Sequence, residues 1–244
     1  MNRKKTAAII GAGFGGLSVA IRLAKHGWNV DVFEQQAHAG GKAGSQQVKG
    51  YRFDRGPSLI TMREVFAELF ESAGRRIEDY LQFEKLDTIC SYFFSDGTVL
   101  NARGKPEEFA LKVETKTQDS ADSVLQFLKY SRGIYNKTAE MFLMNSLHDP
   151  ATYFRPKVWQ GIFSRGKLDA GRSMDTANRS FFQDPRMVQL FNRYATYNGS
   201  DPYQVPATLN IIPHVEYNLG AYACKTGIYA IPQAMRTVAE ELGV

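Results

Sequence analysis

The stretch from Ala7 to Glu34 constrains the fold of this chain more than any other part of its sequence. Its apolar beginning, Ala7–Ile10, predicts a short buried strand of a parallel sheet. Several glycines follow, and then comes a helical pattern of apolar residues that ends at Gly27. Asn29 to Phe33 predicts a second strand, so the stretch as a whole predicts a strand–helix–strand unit.

The glycines of this stretch have the spacing G-x-G-x-x-G. The first permits a tight turn out of the strand, the second lets a pyrophosphate approach the backbone, and the third lets the helix pack closely on the sheet. The helix N-terminus offers N–H groups to phosphates, and an acid at the end of the second strand can accept hydrogen bonds from ribose hydroxyls. An ordinary glycine turn would explain the three glycines, but not the strand before them, the helix after them and the acid at the end of the second strand. The predicted dinucleotide-binding residues are Gly11, Ala12, Gly13, Gly15, Gly16 and Glu34.

Two later motifs favour FAD as the dinucleotide. The pattern E-x5-G-G-K, which ends in Gly40, Gly41 and Lys42, resembles that of the large two-dinucleotide-binding flavoproteins, in which an arginine is usual at the lysine position. In those flavoproteins this second glycine motif extends the binding site for the phosphates and the ribose. The segment F-D-R-G-P-S resembles the part of these proteins that lies near the flavin ring, although a plain tight loop would also explain it. It adds Gly56, Pro57 and Ser58 to the predicted cofactor-binding residues.

Composition sets limits on the remaining possibilities. The 244 residues are 43% hydrophobic, enough to bury a core, and no apolar run approaches the ~18 residues of a membrane span. The first residues are polar and basic rather than a signal sequence, so a cytoplasmic protein is expected. Cys90 and Cys224 are isolated and the histidines are scattered, which predicts free thiols and no metal site.

Positive charge is concentrated between Lys129 and Arg172. This region holds eight basic and three acidic residues, an excess that equals the chain's net charge of +5. Aromatic residues are interspersed from Ala151 onward, which suits an element lying on an anionic membrane surface. A core helix followed by a solvated basic loop explains the pattern equally well, and nucleic acid is a less favoured partner.

The rest of the chain alternates helical and strand patterns without internal repeats or flexible linkers. An Asp96-Gly97 turn predicts a hairpin over Ser91–Leu100 and the start of an antiparallel part. A single strand is predicted at Gln46–Phe53. The predicted helical segments are Met62–Ala73, Asp119–Leu147, Asn178–Phe182 (ended by Asp184-Pro185), Met187–Tyr194 and Pro232–Leu242.

Taken together, these motifs resemble the phytoene-desaturase-type bacterial carotenoid desaturases of the flavin amine oxidase superfamily. The matching blocks include IIGAGFGGLSVAIRLAKHGWNVDVFEQQAHAGGKAG, GYRFDRGPSLIT, YFFSDGTVL and GIYAIPQAMRTVAEELG. The block DPRMVQLFNRYATYNGSDPYQVPATLNIIPHVE is the most particular to this family. One departure is Thr226-Gly227-Ile228, where the family usually carries Gly-Gly-Met.

The resemblance implies an α/β fold with a Rossmann-like FAD-binding domain and an inserted α+β substrate domain. The expected division is 1–85 for the first part of the FAD domain, 86–225 for the substrate and membrane-associated part, and 226–244 for the return to the FAD domain. Family members are about twice as long, so the resemblance implies an N-terminal half that lacks its C-terminal part and is inactive alone.

The implied function is FAD-dependent dehydrogenation of a lipophilic polyene such as phytoene. The implied partners are that polyene and a membrane surface that the protein binds peripherally. Arg193, Tyr194 and Tyr197 are candidates for lining the site, although helix packing would also explain them, and no catalytic acid or base is predicted. Three alternatives remain open: a flavin amine oxidase, a non-enzymatic prenyl-binding protein of the Rab GDP-dissociation-inhibitor type, and a simple NAD dehydrogenase.

Overall fold

The computed structural model describes residues 4–146, 148–154 and 168–244. It divides into unit 1, Met1–Leu86 with Ala221–Val244, and unit 2, Asp87–Gly220. The strands are β1 (Thr6–Ile10), β2 (Asn29–Phe33), β3 (Gly44–Val48), β4 (Tyr51–Arg55), β5 (Ile60–Thr61), β6 (Phe83–Lys85), β7 (Thr88–Phe93), β8 (Val99–Arg103) and β9 (Ala221–Cys224). The described α-helices of more than one turn are α1 (Phe14–Lys25), α2 (Arg63–Ser72), α3 (Pro106–Lys116), α4 (Ala121–Phe142), α5 (Met174–Arg179), α6 (Pro185–Asn192) and α7 (Ala230–Glu241), and Ile212–His214 adds a single turn.

Unit 1 contains the predicted strand–helix–strand unit. Strands β1 and β2 are parallel, with Thr6 opposite Asn29, and α1 connects them. Helix α1 ends at a left-handed Gly27 (φ +81°), and the backbone N–H of Trp28 donates to the carbonyl of Leu23 at 3.1 Å. Its buried Leu17 and Ile21 belong to one core with residues of α2 and α7.

The late segment of the chain completes unit 1. Strand β9 lies between β5 and β6 in a three-stranded antiparallel sheet. Helix α7 then packs on α1, with Met235 and Val238 fully buried in the shared core. Unit 1 is therefore built from two separate stretches of sequence, and unit 2 is the stretch between them.

The single strand predicted at Gln46–Phe53 is wrong. The structure has a hairpin in which β3 and β4 pair antiparallel, with Val48 opposite Tyr51. Lys49 and Gly50 form its two-residue turn, with φ angles of +49° and +85°. Two consecutive positive φ angles are the geometry that joins tightly paired strands, and the Lys-Gly sequence signals it less clearly than Asn-Gly would.

Unit 2 begins with the predicted hairpin, in which β7 and β8 flank the turn at Asp96-Gly97. Helices α3 to α6 follow, with turns of 3-10 helix at Arg193–Asn198 and Ala207–Ile211 and a π-helical turn at Val215–Leu219. Buried aromatic rings fill the core. Phe182 and Phe191 stack with their centroids 4.9 Å apart, and Phe127 packs against both.

Several predicted helix limits in unit 2 need correction. Asp184 and Pro185 begin α6 and do not only end the helix before it. The Asp184 side chain caps α6 by accepting from the backbone N–H of Arg186, and Pro185 takes the first helical position. Helix α5 lies earlier than predicted, and Tyr194 belongs to the 3-10 turn after α6. Helix α4 covers most of Asp119–Leu147, whose last residue lies outside the described residues.

Within the described residues, no helix is both long and apolar enough to cross a bilayer. The same part of the chain shows no cluster of three or more potential metal-binding side chains. Both cysteines are free thiols; Cys224 is buried and Cys90 is half-buried.

The buried Asp184 carboxylate gives unit 2 a pH-dependent contribution to stability. Its side chain is 1% exposed, pairs with Arg186 at 2.6 Å and accepts from the backbone N–H of Gln118 at 3.1 Å. The hydrogen bond from the Arg186 guanidinium, followed by those from the backbone N–H groups of Arg186 and Gln118, lowers the pKa of Asp184 from 3.8 to about 2. Because the folded-state pKa is below the unfolded one, this contribution is complete above pH ~4 and is lost as the pH falls toward 2.

We predict that Asp184→Asn lowers the free energy of unfolding by about 1–3 kcal/mol at pH 7. Urea unfolding of the variant and the wild-type chain should show this difference shrinking between pH 4 and pH 2.5. A difference that stays constant over this range would contradict the assigned ion pair.

Candidate functional site

The N-terminus of α1 is open to a ligand. Gly13 is its N-cap, in extended conformation, and no side chain caps the helix. A Cβ atom added at Gly16 would lie 1.9 Å from the carbonyl oxygen of Gly11, so only glycine allows the helix to approach the end of β1 this closely. The first-turn N–H groups, with the positive end of the helix dipole, are therefore available to an anion.

Glu34 is held beside this helix end by two backbone N–H groups. One carboxylate oxygen accepts from Ala12 at 2.7 Å and the other from Gln36 at 2.9 Å. The hydrogen bond from Gln36, followed by that from Ala12, lowers the pKa of Glu34 below its usual value. The carboxylate is thus ionised and fixed in place, and its other lone pairs can still accept hydrogen bonds.

The Gly40-Gly41-Lys42 loop lies directly against the glycine-rich turn. The N–H of Gly40 donates to the Ala12 carbonyl at 2.8 Å, and a Cβ atom on Gly41 would lie 3.2 Å from the Cα of Gly13. Both loop glycines have positive φ angles, +132° and +59°. The structure therefore brings the two glycine motifs into backbone contact, as a ligand shared between them requires.

The F-D-R-G-P-S segment approaches the same loop through its glycine. Gly56 has a φ of +90°, and a Cβ atom there would lie 2.2 Å from the carbonyl oxygen of Lys42. Pro57 and Ser58 are exposed and do not line the cavities described next. The structure thus brings Gly56 to the predicted site but leaves the role of Pro57 and Ser58 a prediction.

Two cavities follow the glycine motifs. The larger cavity has a volume of about 640 Å³ and is lined by predicted cofactor-binding residues together with residues outside that predicted set. Its lining residues are Ile10, Gly11, Gly13, Phe33, Glu34, Gln35, Gln36, His38, Gly41, Lys42, Gly44 and Arg55. A second cavity of about 250 Å³ is lined by Ala12 and Glu34 among others, and it also reaches α7. Gly15, Gly16, Gly40 and Gly56 shape the surroundings without lining either cavity.

Arg55 lies within the F-D-R-G-P-S segment but is not among the predicted cofactor-binding residues. It pairs with Gly44 across the hairpin, and its Cβ and Cδ atoms would lie 3.6 and 3.9 Å from a Cβ atom built on Gly44. Arg55 and Lys42 therefore add two cations to a cavity that already holds a helix N-terminus. The sequence does contain one signal for Arg55. Side chains alternate between the two faces of a strand, so Asp54 and Arg55 must point to opposite faces of β4.

These features fit a dinucleotide at its phosphates and ribose. Uncapped N–H groups and two cations suit a pyrophosphate, and the fixed Glu34 carboxylate suits ribose hydroxyls. The cavity thus offers hydrogen-bond donors to the phosphates of such a ligand and a hydrogen-bond acceptor to its ribose hydroxyls.

The segment Thr226-Gly227-Ile228 is clamped by β4. The Asp54 carboxylate accepts from the N–H of Ile228 at 3.3 Å, and Arg52 donates to the Thr226 carbonyl. A Cβ atom on Gly227 would lie 2.6 Å from Asp54 Oδ1. This chain therefore keeps the glycine that the clamp needs, and Thr226 contributes only its carbonyl oxygen to the clamp.

In unit 2, the structure brings Arg193, Tyr194 and Tyr197 together around Glu216. The Tyr194 hydroxyl donates to Glu216 at 2.6 Å, Tyr197 donates to its other oxygen, and Arg193 pairs with it at 3.6 Å. Glu216 is 1% exposed, a burial that the sequence does not signal. The three predicted residues thus form one cluster, organised by an acid that the sequence analysis did not select.

The comparisons with known proteins agree with this geometry. Residues 9–73, all in unit 1, match the family model described as NAD(P)-binding Rossmann-like domain. Over 98% of its length the chain is 38% identical to a 1-hydroxycarotenoid 3,4-desaturase of Flavobacterium sp. (strain P99-3), of which it covers 49%. Over its full length it is 34% identical to a 4,4'-diapolycopene oxygenase of Methylomonas sp, of which it covers 48%. The chain is a relative of the carotenoid desaturases and oxygenases.

Solved structures share the fold of this carotenoid desaturase relative. A structure of putrescine oxidase bound to putrescine matches 98% of the chain, and 49% of its own length, with a TM-score of 0.59 at 15% identity. The predicted fold class, a Rossmann-like α/β domain with an inserted α+β part, is confirmed. The chain spans about half the length of the curated relatives it matches.

Two adjacent glycines test the packing at the start of α1. We predict that Gly16→Ala destabilises the chain by about 1–3 kcal/mol, because its methyl group would overlap the Gly11 carbonyl. Gly15→Ala is the matched control, since nothing lies within 4 Å of a Cβ atom there and alanine favours the helix by about 0.5–1 kcal/mol. Chemical denaturation of both variants measures the contrast, and equal stabilities would contradict the close approach.

Charge neutralisation tests the cavity. We predict that Lys42→Gln and Arg55→Gln each weaken binding of ADP, a probe for the pyrophosphate, by about three- to tenfold, and less at high salt because exposed charges are screened. Arg52→Gln lies in the same hairpin but bonds to Thr226, outside the cavity, and serves as the control. Isothermal titration calorimetry of the full-length protein gives the affinities, and unchanged values for Arg55→Gln would remove it from the site.

Proposed function

We propose that this chain is part of an FAD-dependent enzyme that dehydrogenates a lipophilic polyene of the carotenoid type. The observation that carries the proposal is the similarity of the entire chain to carotenoid desaturases and oxygenases, combined with the dinucleotide-type cavity in unit 1. The amine oxidase alternative shares the fold, but a likeness at 15% identity supports only the fold. Unit 1 would hold the cofactor and unit 2 would contact the substrate.

In this proposal, the cofactor supplies a two-electron acceptor for hydrogen removed from the polyene. The chain's own residues bind and orient it. The first turn of α1, with Lys42 and Arg55, would hold the pyrophosphate, and Glu34 would accept from the ribose hydroxyls.

The fixed Glu34 carboxylate supports FAD binding over a purely structural role for this turn. Its two backbone hydrogen bonds already keep it ionised and correctly placed. A prenyl-binding protein without a cofactor would have no use for an ionised acceptor beside an uncapped helix N-terminus and two cations. The same features would also suit an enzyme that binds a nicotinamide dinucleotide. The similarity to carotenoid enzymes over the whole chain favours FAD over that cofactor.

The test is a substrate comparison with the full-length protein, purified and reconstituted with FAD. Flavin absorbance in the bound fraction is expected. Incubation with phytoene in liposomes should produce new conjugated double bonds, visible as longer-wavelength absorption, and simple amines should give no aldehyde or peroxide. Amine turnover without any change in the polyene would reject the proposal in favour of an amine oxidase.

We also propose peripheral binding to an anionic membrane. Its support is the basic and aromatic sequence from Lys129 to Arg172, of which residues 147 and 155–167 lie outside the described residues. A lipophilic substrate must be taken from a bilayer or a carrier, so a membrane-binding surface would serve the reaction.

Co-sedimentation tests the membrane proposal. The protein should pellet with vesicles that contain phosphatidylglycerol and remain in the supernatant with pure phosphatidylcholine, and 0.5 M salt should reduce binding by screening. Replacing Arg165 and Lys167 with glutamine should weaken binding, whereas replacing Lys4 and Lys5 of unit 1 should not. Equal binding to both vesicle types would contradict an electrostatic contribution.

A further inference from the structure

His38 lines both cavities at the glycine motifs of unit 1. One is the larger cavity of about 640 Å³ and the other is the smaller cavity of about 250 Å³. Among the described lining residues, only Glu34 and Gln36 share this position. The predicted cofactor-binding residues do not include His38, although it stands at the wall between the two parts of the site.

The backbone on both sides of His38 is fixed by hydrogen bonds. Before it, the N–H of Gln36 donates to the Glu34 carboxylate at 2.9 Å. After it, the N–H of Gly40 donates to the carbonyl of Ala12 at 2.8 Å. The short segment that carries the histidine is therefore tied at both ends to the acid and to the glycine-rich turn that form the site.

The imidazole ring of His38 is held by an aromatic neighbour from another part of the chain. It packs against Tyr229, which precedes α7, in a T-shaped arrangement with ring centroids 5.9 Å apart. Tyr229 in turn lies against Gly40, where an added Cβ atom would come within 3.2 Å of its ring. Because His38 is otherwise exposed, its ring is placed at the cavity wall and stays accessible to a ligand.

The other charged side chains of the larger cavity keep their charges near neutral pH. Lys42 and Arg55 supply two cations, and lysine and arginine ordinarily lose their protons only far above neutral pH. Glu34 supplies one carboxylate, whose pKa is lowered first by the backbone hydrogen bond from Gln36 and also by the charge of His38. These fixed groups leave an excess of one positive charge.

Helix α7 does not change this balance. Its Arg236 and Glu240 line the smaller cavity but pair with each other at 2.7 Å, so together they add no net charge. Histidine is the side-chain type that ordinarily changes its charge near neutral pH, and His38 is the only histidine among the described residues lining either cavity. A proton on its ring raises the excess to two positive charges, which balance the two negative charges of a pyrophosphate that joins two nucleosides.

We propose that His38 is a third, titratable cation of the dinucleotide site, so that the chain binds a dinucleotide more tightly when this ring is protonated. This inference rests on the proposed function and adds to it a dependence of cofactor binding on pH. Because the ligand is an anion, binding favours the protonated ring. The added affinity is therefore present in mildly acidic solution and is lost as the pH rises and the ring gives up its proton.

The test measures the dissociation constant of FAD from the full-length holoprotein at pH 6 and at pH 8.5, by flavin fluorescence on dilution. FAD suits this comparison because its pyrophosphate and its oxidised flavin ring keep their charges over this range, whereas a terminal phosphate such as that of ADP titrates near pH 6. The wild-type protein should bind FAD about threefold more tightly at pH 6, the effect of one exposed charge beside a phosphate. Added salt at 0.5 M should reduce this ratio by screening.

Two substitutions at this position isolate the charge. His38→Gln keeps a polar side chain but takes up no proton, so at both pH values its affinity should equal the wild-type affinity at pH 8.5. His38→Lys carries a fixed charge and should bind FAD equally tightly at both pH values. Since the side chain is exposed, both variants should fold, and circular dichroism verifies this.

His26→Gln is the matched control in the same unit. His26 follows α1, is exposed and lines neither cavity, so its replacement should leave the threefold ratio intact.

The outcomes separate the inference from the proposed function. If the wild-type protein binds FAD equally at both pH values, His38 only packs on Tyr229 and the inference fails, while the dinucleotide site stands. A threefold ratio that persists in His38→Gln would assign the pH dependence to another group and would also overturn the inference. If the protein binds no FAD at either pH, the proposed function fails and the inference fails with it.

Discussion

Unit 1 depends on backbone segments that touch with no side chain between them. The turn before α1 contacts the Gly40-Gly41 loop, and that loop contacts Gly56 at the end of the β3–β4 hairpin. A single methyl group would overlap a backbone carbonyl at three of these glycines: Gly16 faces the carbonyl of Gly11, Gly40 that of Ala43, and Gly56 that of Lys42. The space that the missing side chains leave allows the helix N-terminus, Glu34 and two cations to share one cavity. Close backbone approach therefore both folds the unit and exposes its hydrogen-bonding groups to a ligand.

The local part of this arrangement could be predicted from the sequence. The strand–helix–strand unit and the Asp-Gly hairpin follow from periodicity and turn chemistry over a few residues, and the structure has both. Gly40, Gly41 and Lys42 could be selected because their spacing from Glu34 is fixed. The Lys49-Gly50 turn was missed because lysine seldom adopts a positive φ, so two strands were predicted as one.

The remaining part depends on contacts between residues distant in sequence. Arg55 belongs to the cavity only because β4 pairs with β3 in a register that places it over Gly44. The clamp from Asp54 to Ile228 joins residues 174 positions apart. Likewise, nothing in the sequence near Glu216 shows that its carboxylate is buried under two tyrosine hydroxyls. Spacing along one segment cannot specify such pairs, because tertiary packing decides them.

The two units obtain polar contacts in opposite ways. In unit 1 the functional groups are backbone N–H groups and exposed charges around an open cavity, which suits a charged, hydrophilic ligand. In unit 2 they are side chains buried among aromatic rings, such as the Glu216 carboxylate that accepts from the hydroxyls of Tyr194 and Tyr197. This contrast agrees with the proposed function, in which unit 1 would hold a polar cofactor and unit 2 would contact an apolar substrate.

The division of unit 1 into two stretches has a consequence for synthesis on the ribosome. The N–H of Leu86 donates to the carbonyl of Ala221 at 2.9 Å, so the chain leaves unit 1 and returns to it at one point. At about 5–20 residues per second, about 10–40 seconds pass between the synthesis of α1 and that of α7, which covers part of its apolar face. During that time Leu17 and Ile21 have α2 but not α7 to pack against, so the core that they share stays incomplete. The core around α1 is therefore among the last parts of unit 1 to be completed, and until then it exposes apolar surface of the kind that promotes aggregation.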